Sequence, residues 1–143
     1  MDSEIVERRE RPAPENAFAR VFVCDDDDDM RLLVADAFRL DGYDVVEMRD
    51  GRETLEGISR AFQRPMELPD LIVMDLLMPY CSGLGILTAL RRANWRTPVI
   101  VITGFSHDSV IDKARDLGAA AVLRKPFSLE ELRAVALETC ART

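Results

Sequence analysis

Several residue types are scarce in this sequence of 143 residues, which has two lysines, one histidine and three cysteines. No apolar run approaches the roughly 20 residues that a bilayer-spanning helix needs, so we expect no membrane span. Cys24, Cys81 and Cys140 are odd in number and lack metal-ligand spacing, which argues against a disulfide framework and a zinc site. The first ten residues contain no apolar stretch typical of an export signal. We therefore expect a cytoplasmic protein.

The charge balance of the chain is acidic. Lysine and arginine number 19 and aspartate and glutamate 26, a formal net charge of −7. Such a protein repels nucleic-acid phosphates and anionic membranes, so we expect neither as a direct partner. The length and the 48% hydrophobic content favour one globular domain. Residues 1–18 carry Pro12 and Pro14 and show no sustained apolar face, which predicts a flexible extension before a domain at 19–143.

From Ala19 onward, short apolar runs alternate with segments of helical periodicity, a pattern typical of repeated βα units. Residues 71–74 are apolar throughout, as expected of a central parallel strand that is buried on both faces. The pattern predicts an α/β fold of the flavodoxin-like, doubly wound type, with five helices and a five-stranded parallel sheet in the order 2-1-3-4-5. The strands are predicted near residues 20–24, 43–48, 71–74, 98–103 and 120–123.

The sequence predicts three details of the helices. Asp28 or Asp29 should stabilise the start of the first helix, as a cap or in its first turn. The buried face of that helix should be formed by its apolar positions Met30, Leu33, Val34, Ala37 and Phe38. The arginines near the end of the third helix should form a solvated helix end; these are Arg91, Arg92 and Arg96.

Acidic residues concentrate where the first and third predicted strands end. Five consecutive aspartates, residues 25–29, follow the first strand, and Asp75 ends the third. In a parallel sheet of this order the two strand ends are adjacent, so Asp25, Asp26 and Asp75 should converge. Three converging carboxylates repel one another unless a cation or protons offset their charge. Because no histidine or cysteine ligand is available, the oxygen donors favour Mg²⁺ over zinc.

A lysine and a threonine stand at the same predicted edge. Of the 19 basic residues 17 are arginine, so Lys125, directly after the last strand, looks selected for a compact positive charge. Thr103 ends the fourth strand. A carboxylate nucleophile, a metal site, a hydroxyl and an ammonium together predict a phosphoryl-acceptor site. Its product would be a labile acyl phosphate, which suits signalling.

These positions resemble the receiver domain of bacterial two-component response regulators (CheY-like) over roughly residues 19 to 141. The acidic pair of that family corresponds to Asp25 and Asp26, and the phosphoacceptor to Asp75 in the run DLIVMDLLMP. The Thr/Ser position of the family corresponds to Thr103, and its lysine to Lys125 in the run KPF.

The resemblance implies a set of roles for these residues. Asp26, Asp75 and the backbone carbonyl of Leu77 would hold Mg²⁺, with Asp25 helping through water. Asp75 would take its phosphoryl group from a sensor histidine kinase or a histidine phosphotransfer protein and so switch binding to an unknown downstream protein. The only chemistry implied is self-catalysed phosphoryl transfer onto Asp75 and its slow reversal by water, so the chain is not expected to be an enzyme. The peptide bond between Lys125 and Pro126 is expected to be cis.

The sequence also departs from the family pattern. Val122 stands three residues before the lysine, where the family usually has tyrosine or phenylalanine, which excludes aromatic switching at that site. Ser82 replaces the common aspartate before the glycine that opens the third helix, a surface change expected to have little chemical weight. Leu77 and Phe105 are apolar where they could shield an acyl phosphate from water, which predicts a long-lived phosphoryl group.

Three other functions compete with this interpretation. A degenerate receiver that acts only as an interaction module is favoured by Val122. A haloacid-dehalogenase-like phosphatase is suggested by the spacing of Asp26 and Asp28, but this chain has no length for the cap that encloses substrate in such enzymes. A flavodoxin-like FMN carrier conflicts with the five aspartates where a phosphate-binding loop should lie.

Overall fold

The computed structural model describes residues 19–104 and 107–141, and the extension predicted at 1–18 lies outside them. The described chain forms a five-stranded parallel sheet in the order β2-β1-β3-β4-β5, as predicted. No described helix is long and apolar enough to cross a membrane. The elements are β1 (Arg20–Cys24), α1 (Asp28–Leu40), β2 (Asp44–Met48), α2 (Gly51–Gln63), a 3-10 turn (Pro65–Glu67), β3 (Leu71–Asp75), α3 (Gly83–Arg92), β4 (Val99–Thr103), α4 (Asp108–Asp116), β5 (Ala121–Arg124) and α5 (Leu129–Ala141).

The core lies on both faces of the sheet because successive side chains of a strand point to opposite sides. All five residues of β3 and all five of β4 are buried, which explains why these strands are apolar without alternation. One cluster packs the sheet against α2, α3 and α4, with Phe22, Ile72, Ile58, Ile86, Leu90 and Ala114 among its members. The other packs it against α1 and α5, with Val21, Val73, Val34, Phe38, Leu132 and Ala136.

Side-chain caps begin several of the helices, and two of them differ from expectation. The cap of α1 is Asp27, whose carboxylate accepts the N–H groups of Asp29 and Met30 at 3.0 and 3.2 Å, while Asp28 and Asp29 occupy the first turn. Ser82 has more weight than expected, because its hydroxyl accepts the N–H of Gly85 at 3.1 Å and caps α3.

The buried face of α1 is rotated from the predicted one. Leu33, predicted on the buried face, is 51% exposed, whereas Arg31 is only 7% exposed and Ala35 is fully buried. Val34 and Phe38 are buried as predicted. Apolar periodicity does not identify a buried arginine, because the burial of an arginine depends on hydrogen-bond partners that come from other elements.

Arg91 does not belong to a solvated helix end. Its guanidinium donates to the carbonyl oxygens of Trp95 at 2.7 Å, Leu117 at 2.9 Å, Gly118 at 3.2 Å and Thr97 at 3.4 Å. It therefore joins the end of α3 to the end of α4 and to the segment that leads into β4. Its neighbour Arg92 is exposed, as expected.

Candidate functional site

Four predicted site residues lie at the carboxyl ends of adjacent strands. Asp25 directly follows β1, Asp75 ends β3, Thr103 ends β4 and Lys125 directly follows β5. Because β3 lies between β1 and β4, these positions share one edge of the sheet. The N–H of Lys125 donates to the carbonyl of Thr103 at 2.8 Å, which continues the pairing of β4 and β5. The peptide bond between Lys125 and Pro126 is cis, as expected.

The structure brings Asp25, Asp26 and Asp75 together. One carboxylate oxygen from each lies within 4.8 Å of the others. Asp25 and Asp75 are 4% and 6% exposed, and Asp26 is exposed. One oxygen of Asp25 accepts the N–H of Asp27 and one oxygen of Asp75 accepts the N–H of Leu77, both at 2.9 Å. Backbone amides therefore orient the two buried carboxylates.

The ammonium of Lys125 faces the two buried acids. Its Nζ lies 2.7 Å from Oδ2 of Asp75 and 3.6 Å from Oδ2 of Asp25. Partial burial acts to lower the pKa of Lys125, but the contacts with Asp75 and Asp25 outweigh it and raise that pKa. The group therefore remains a cation across the neutral range.

One ammonium does not neutralise three carboxylates. Burial raises the pKa of Asp25, and the neighbouring charges of Asp75 and Asp26 act in the same direction, while the amide of Asp27 and the ammonium of Lys125 oppose them. With all groups ionised the cluster holds −2, the charge that one divalent cation cancels. Closely spaced carboxylate oxygens, one of them exposed, fit a hard divalent cation that retains water ligands.

Thr103, Leu77, Phe105 and Val122 have different outcomes. Thr103 is fully buried at the end of β4. Leu77 is 52% exposed two residues after Asp75, and Phe105 lies outside the described residues. Val122 is half-buried and packs against the core cluster on the α2, α3 and α4 side of the sheet.

A charged group that was not among the predicted site residues lies directly behind the acids. Arg31 on α1 donates from Nη1 to the carbonyl oxygen of Asp25 at 3.1 Å and from Nε to Glu47 on β2 at 3.0 Å. The available sequence signal was the glutamate inside β2, which falls between the apolar residues Val46 and Met48. A partly buried acid in such a strand is stabilised by a cationic partner nearby.

Comparison with known proteins is consistent with this arrangement. Residues 21–137 match the family described as the response regulator receiver domain. The Mycobacterium tuberculosis transcriptional regulatory protein PdtaR is 36% identical over 115 residues, which are 79% of this chain and 52% of that protein. Sporulation initiation phosphotransferase F of Bacillus subtilis is 26% identical over 114 residues, which are 80% of this chain and 87% of that protein.

Solved structures give the same result. The receiver domain of Francisella response regulator 1452 superposes with a TM-score of 0.76 at 31% identity, covering 87% of this chain and 98% of that one. This chain spans about half the length of PdtaR and 24% of the Escherichia coli regulatory protein AtoC. The family match extends over most of the chain and includes every strand from Val21 of β1 onward. The chain therefore belongs to the receiver domains of two-component response regulators.

Proposed function

We propose that Asp75 accepts a phosphoryl group from a phosphohistidine in a reaction that depends on Mg²⁺. One observation carries the proposal: the Asp75 carboxylate lies in contact with the Lys125 ammonium, while its oxygens also belong to a cluster with Asp25 and Asp26. A nucleophile, a fixed cation and a set of metal ligands thus meet at one carboxylate.

The proposed transfer forms an O–P bond and breaks an N–P bond. A carboxylate oxygen of Asp75 attacks phosphorus, and the imidazole of the donor leaves with the N–P electron pair. Lys125 and the hydroxyl of Thr103 bind oxygens of the transferred group, so charge that develops on them meets fixed donors. Asp26, Asp75 and the carbonyl of Leu77 would hold Mg²⁺, with Asp25 acting through water. The bound ion would offset the repulsion between the acids and the incoming phosphoryl oxygens.

The donor is proposed to be a sensor histidine kinase or a histidine phosphotransfer protein, and the output a changed affinity for a downstream protein in the cytoplasm. The net charge of −7 supports a protein target over direct contact with nucleic acid or a membrane. Receiver domains are generally not classical enzymes. For this chain we propose only self-catalysed transfer onto Asp75 and slow loss of the phosphoryl group to water.

Intact mass measurement tests this function directly. Incubation with acetyl phosphate and Mg²⁺ should add one phosphoryl group to the wild type and none to Asp75→Ala, and excess EDTA should prevent the addition. Asp112→Ala is the matched control, because this exposed carboxylate lies on α4. Addition to Asp75→Ala, or none to the wild type, would refute the proposal.

One observation favours a second function, an interaction module that does not use phosphorylation. Val122 occupies the position at which this family usually has an aromatic ring, so the usual reporter of phosphorylation is missing. Under that alternative the wild type and Asp75→Ala would bind the downstream partner equally with and without acetyl phosphate. A difference in partner binding between the wild type and Asp75→Ala that depends on acetyl phosphate would favour the phosphoacceptor function.

A further inference from the structure

The guanidinium of Arg31 is buried and has three acceptors from three parts of the chain. Nη1 donates to the carbonyl oxygen of Asp25 at 3.1 Å, Nε to Oε1 of Glu47 at 3.0 Å, and Nη2 lies 2.8 Å from Oδ1 of Asp28. The residue is 7% exposed. A buried cation is stable only where such partners replace its water shell, so this geometry is strongly specified.

Glu47 fixes the arginine from the side of β2. Its second oxygen, Oε2, accepts from Nη2 of Arg39 at 2.9 Å, so two arginines from α1 hold one carboxylate. The two arginines differ in their other contacts: Arg31 donates to the Asp25 carbonyl at the site, whereas Arg39 donates to Asp36 on its own helix. The pair therefore provides a matched comparison.

The carbonyl that Arg31 binds belongs to the peptide unit between Asp25 and Asp26. On the other side of Asp25, its own N–H donates to the carbonyl of Met48 at 3.1 Å. With both flanking peptide units held, rotation about the backbone bonds of Asp25 is restricted. The direction of the following residue, Asp26, depends on the same peptide plane.

We infer that Arg31 is a positioning residue, which holds the peptide between Asp25 and Asp26 in the orientation at which the acid cluster takes up Mg²⁺. This inference rests on the proposed function. Electrostatics alone would give the opposite effect, because a cation close to a metal site disfavours a second cation. Any gain in Mg²⁺ affinity from Arg31 must therefore come from geometry.

A substitution that keeps the charge isolates this geometric role. In Arg31→Lys the positive charge stays, but a single ammonium cannot replace a planar group that donates in three directions. Mg²⁺ affinity of the full chain, measured by titration calorimetry, should fall about tenfold, as for other groups that orient metal ligands. Arg39→Lys makes the same chemical change at the other side of Glu47 and should stay within twofold of the wild type. Equal affinities for Arg31→Lys and Arg39→Lys would overturn the inference.

Two further measurements separate positioning from a general loss of fold. Urea unfolding in EDTA measures the stability of each variant without metal. The difference in Mg²⁺ affinity between Arg31→Lys and Arg39→Lys should persist when the two variants are compared under conditions in which both are fully folded. If Arg31→Lys does not fold, Arg31→Gln removes the buried charge and should still weaken Mg²⁺ binding, against the electrostatic trend. An affinity of Arg31→Gln at or above that of the wild type would overturn the inference. A wild type without Mg²⁺ uptake would instead refute the proposed function itself.

Discussion

The two edges of the sheet differ in how completely their charged groups are paired. The carboxyl edge, defined as Asp25, Asp26, Asp75, Thr103 and Lys125, holds three carboxylates close together and one ammonium that contacts two of them. At the amino edge, defined as Arg20, Asp44, Asp70 and Arg91, the charged groups have partners within the chain. There Nε of Arg20 lies 3.0 Å from Oδ2 of Asp44, and the backbone N–H of Arg20 donates to Oδ2 of Asp70 at 2.9 Å. The guanidinium of Arg91 donates to backbone carbonyls.

This difference separates stability from function within one sheet. At the amino edge the protein supplies partners from its own chain, so these contacts stabilise the fold and leave little capacity for a ligand. At the carboxyl edge the acids outnumber the cations, and a cation or a proton from solution must offset their remaining negative charge. Substitutions at the amino edge should therefore lower stability, whereas those at the carboxyl edge should change the chemistry, and removal of an acid there should raise the stability of the metal-free protein.

The largest effect is expected from Lys125→Met. Loss of the ammonium removes a fixed donor for the phosphoryl oxygens, and the rate of phosphorylation by acetyl phosphate should fall about 100-fold. The exposed Lys113 on α4 gives the control, because Lys113→Met removes the other lysine without altering the carboxyl edge. Time-resolved intact mass would measure both rates, and similar rates would mean that the ammonium has no part in the transfer.

The next effect tests the amino edge. Arg91→Ala leaves carbonyls at the ends of α3 and α4 without their donor and should lower the free energy of unfolding by about 2 kcal/mol. Arg91→Lys should recover only part of this loss, because one ammonium cannot serve the four carbonyls. The phosphorylation rate should not change in either. Urea unfolding measures the loss, and Arg92→Ala, at an exposed neighbour, should leave stability within about 0.5 kcal/mol of the wild type.

The two edges also differ in how far the sequence could predict them. Convergence of Asp25, Asp75 and Lys125 follows from strand order, because each lies at the end of a strand and parallel strands end at the same edge. The role of Arg91 could not be predicted in this way. Its acceptors are backbone carbonyls up to 27 residues away, at Gly118, and any residue type supplies a carbonyl.

Arg31 shows the same limit next to the site. It is not one of the apolar positions that predict the buried face of α1, and only the packing of α1 against β2 places Glu47 within 3.0 Å. Periodicity identifies helices and their apolar residues, but a buried charge is decided by non-local hydrogen bonds. Leu33 is exposed for a related reason, because the buried face of α1 is formed around Arg31 and is therefore rotated away from Leu33.

A smaller effect should reveal the excess of acids directly. Because the pKa of Asp25 is raised above 3.8 in the folded state, the folded protein holds a proton there more strongly than the unfolded chain. Asp25 therefore stabilises the metal-free fold at low pH, and this contribution is lost as the pH rises through the folded pKa. Asp25→Asn should raise metal-free stability at pH 7 by on the order of 1 kcal/mol.

The control for this change is Asp29→Asn in the first turn of α1, where an exposed carboxylate favours the helix and its loss should not stabilise the protein. Urea unfolding in EDTA at several pH values measures the difference between the wild type and Asp25→Asn. That difference should grow from pH 4 toward pH 7. A difference independent of pH would show that the Asp25 carboxylate is not destabilised by burial.

The smallest expected effect concerns how long the phosphoryl group survives at the carboxyl edge. Leu77 lies two residues after Asp75, and its apolar side chain offers no hydrogen bond to orient an attacking water. Leu77→Asn should therefore speed loss of the phosphoryl group about fivefold, which corresponds to about 1 kcal/mol in the barrier. Leu33→Asn, at a leucine of similar exposure on α1, should leave the lifetime unchanged. Loss of the phosphoryl group from the wild type within a few seconds would contradict shielding. Equal lifetimes in Leu77→Asn and the wild type would contradict it too, because the amide would then add nothing to a site already open to water.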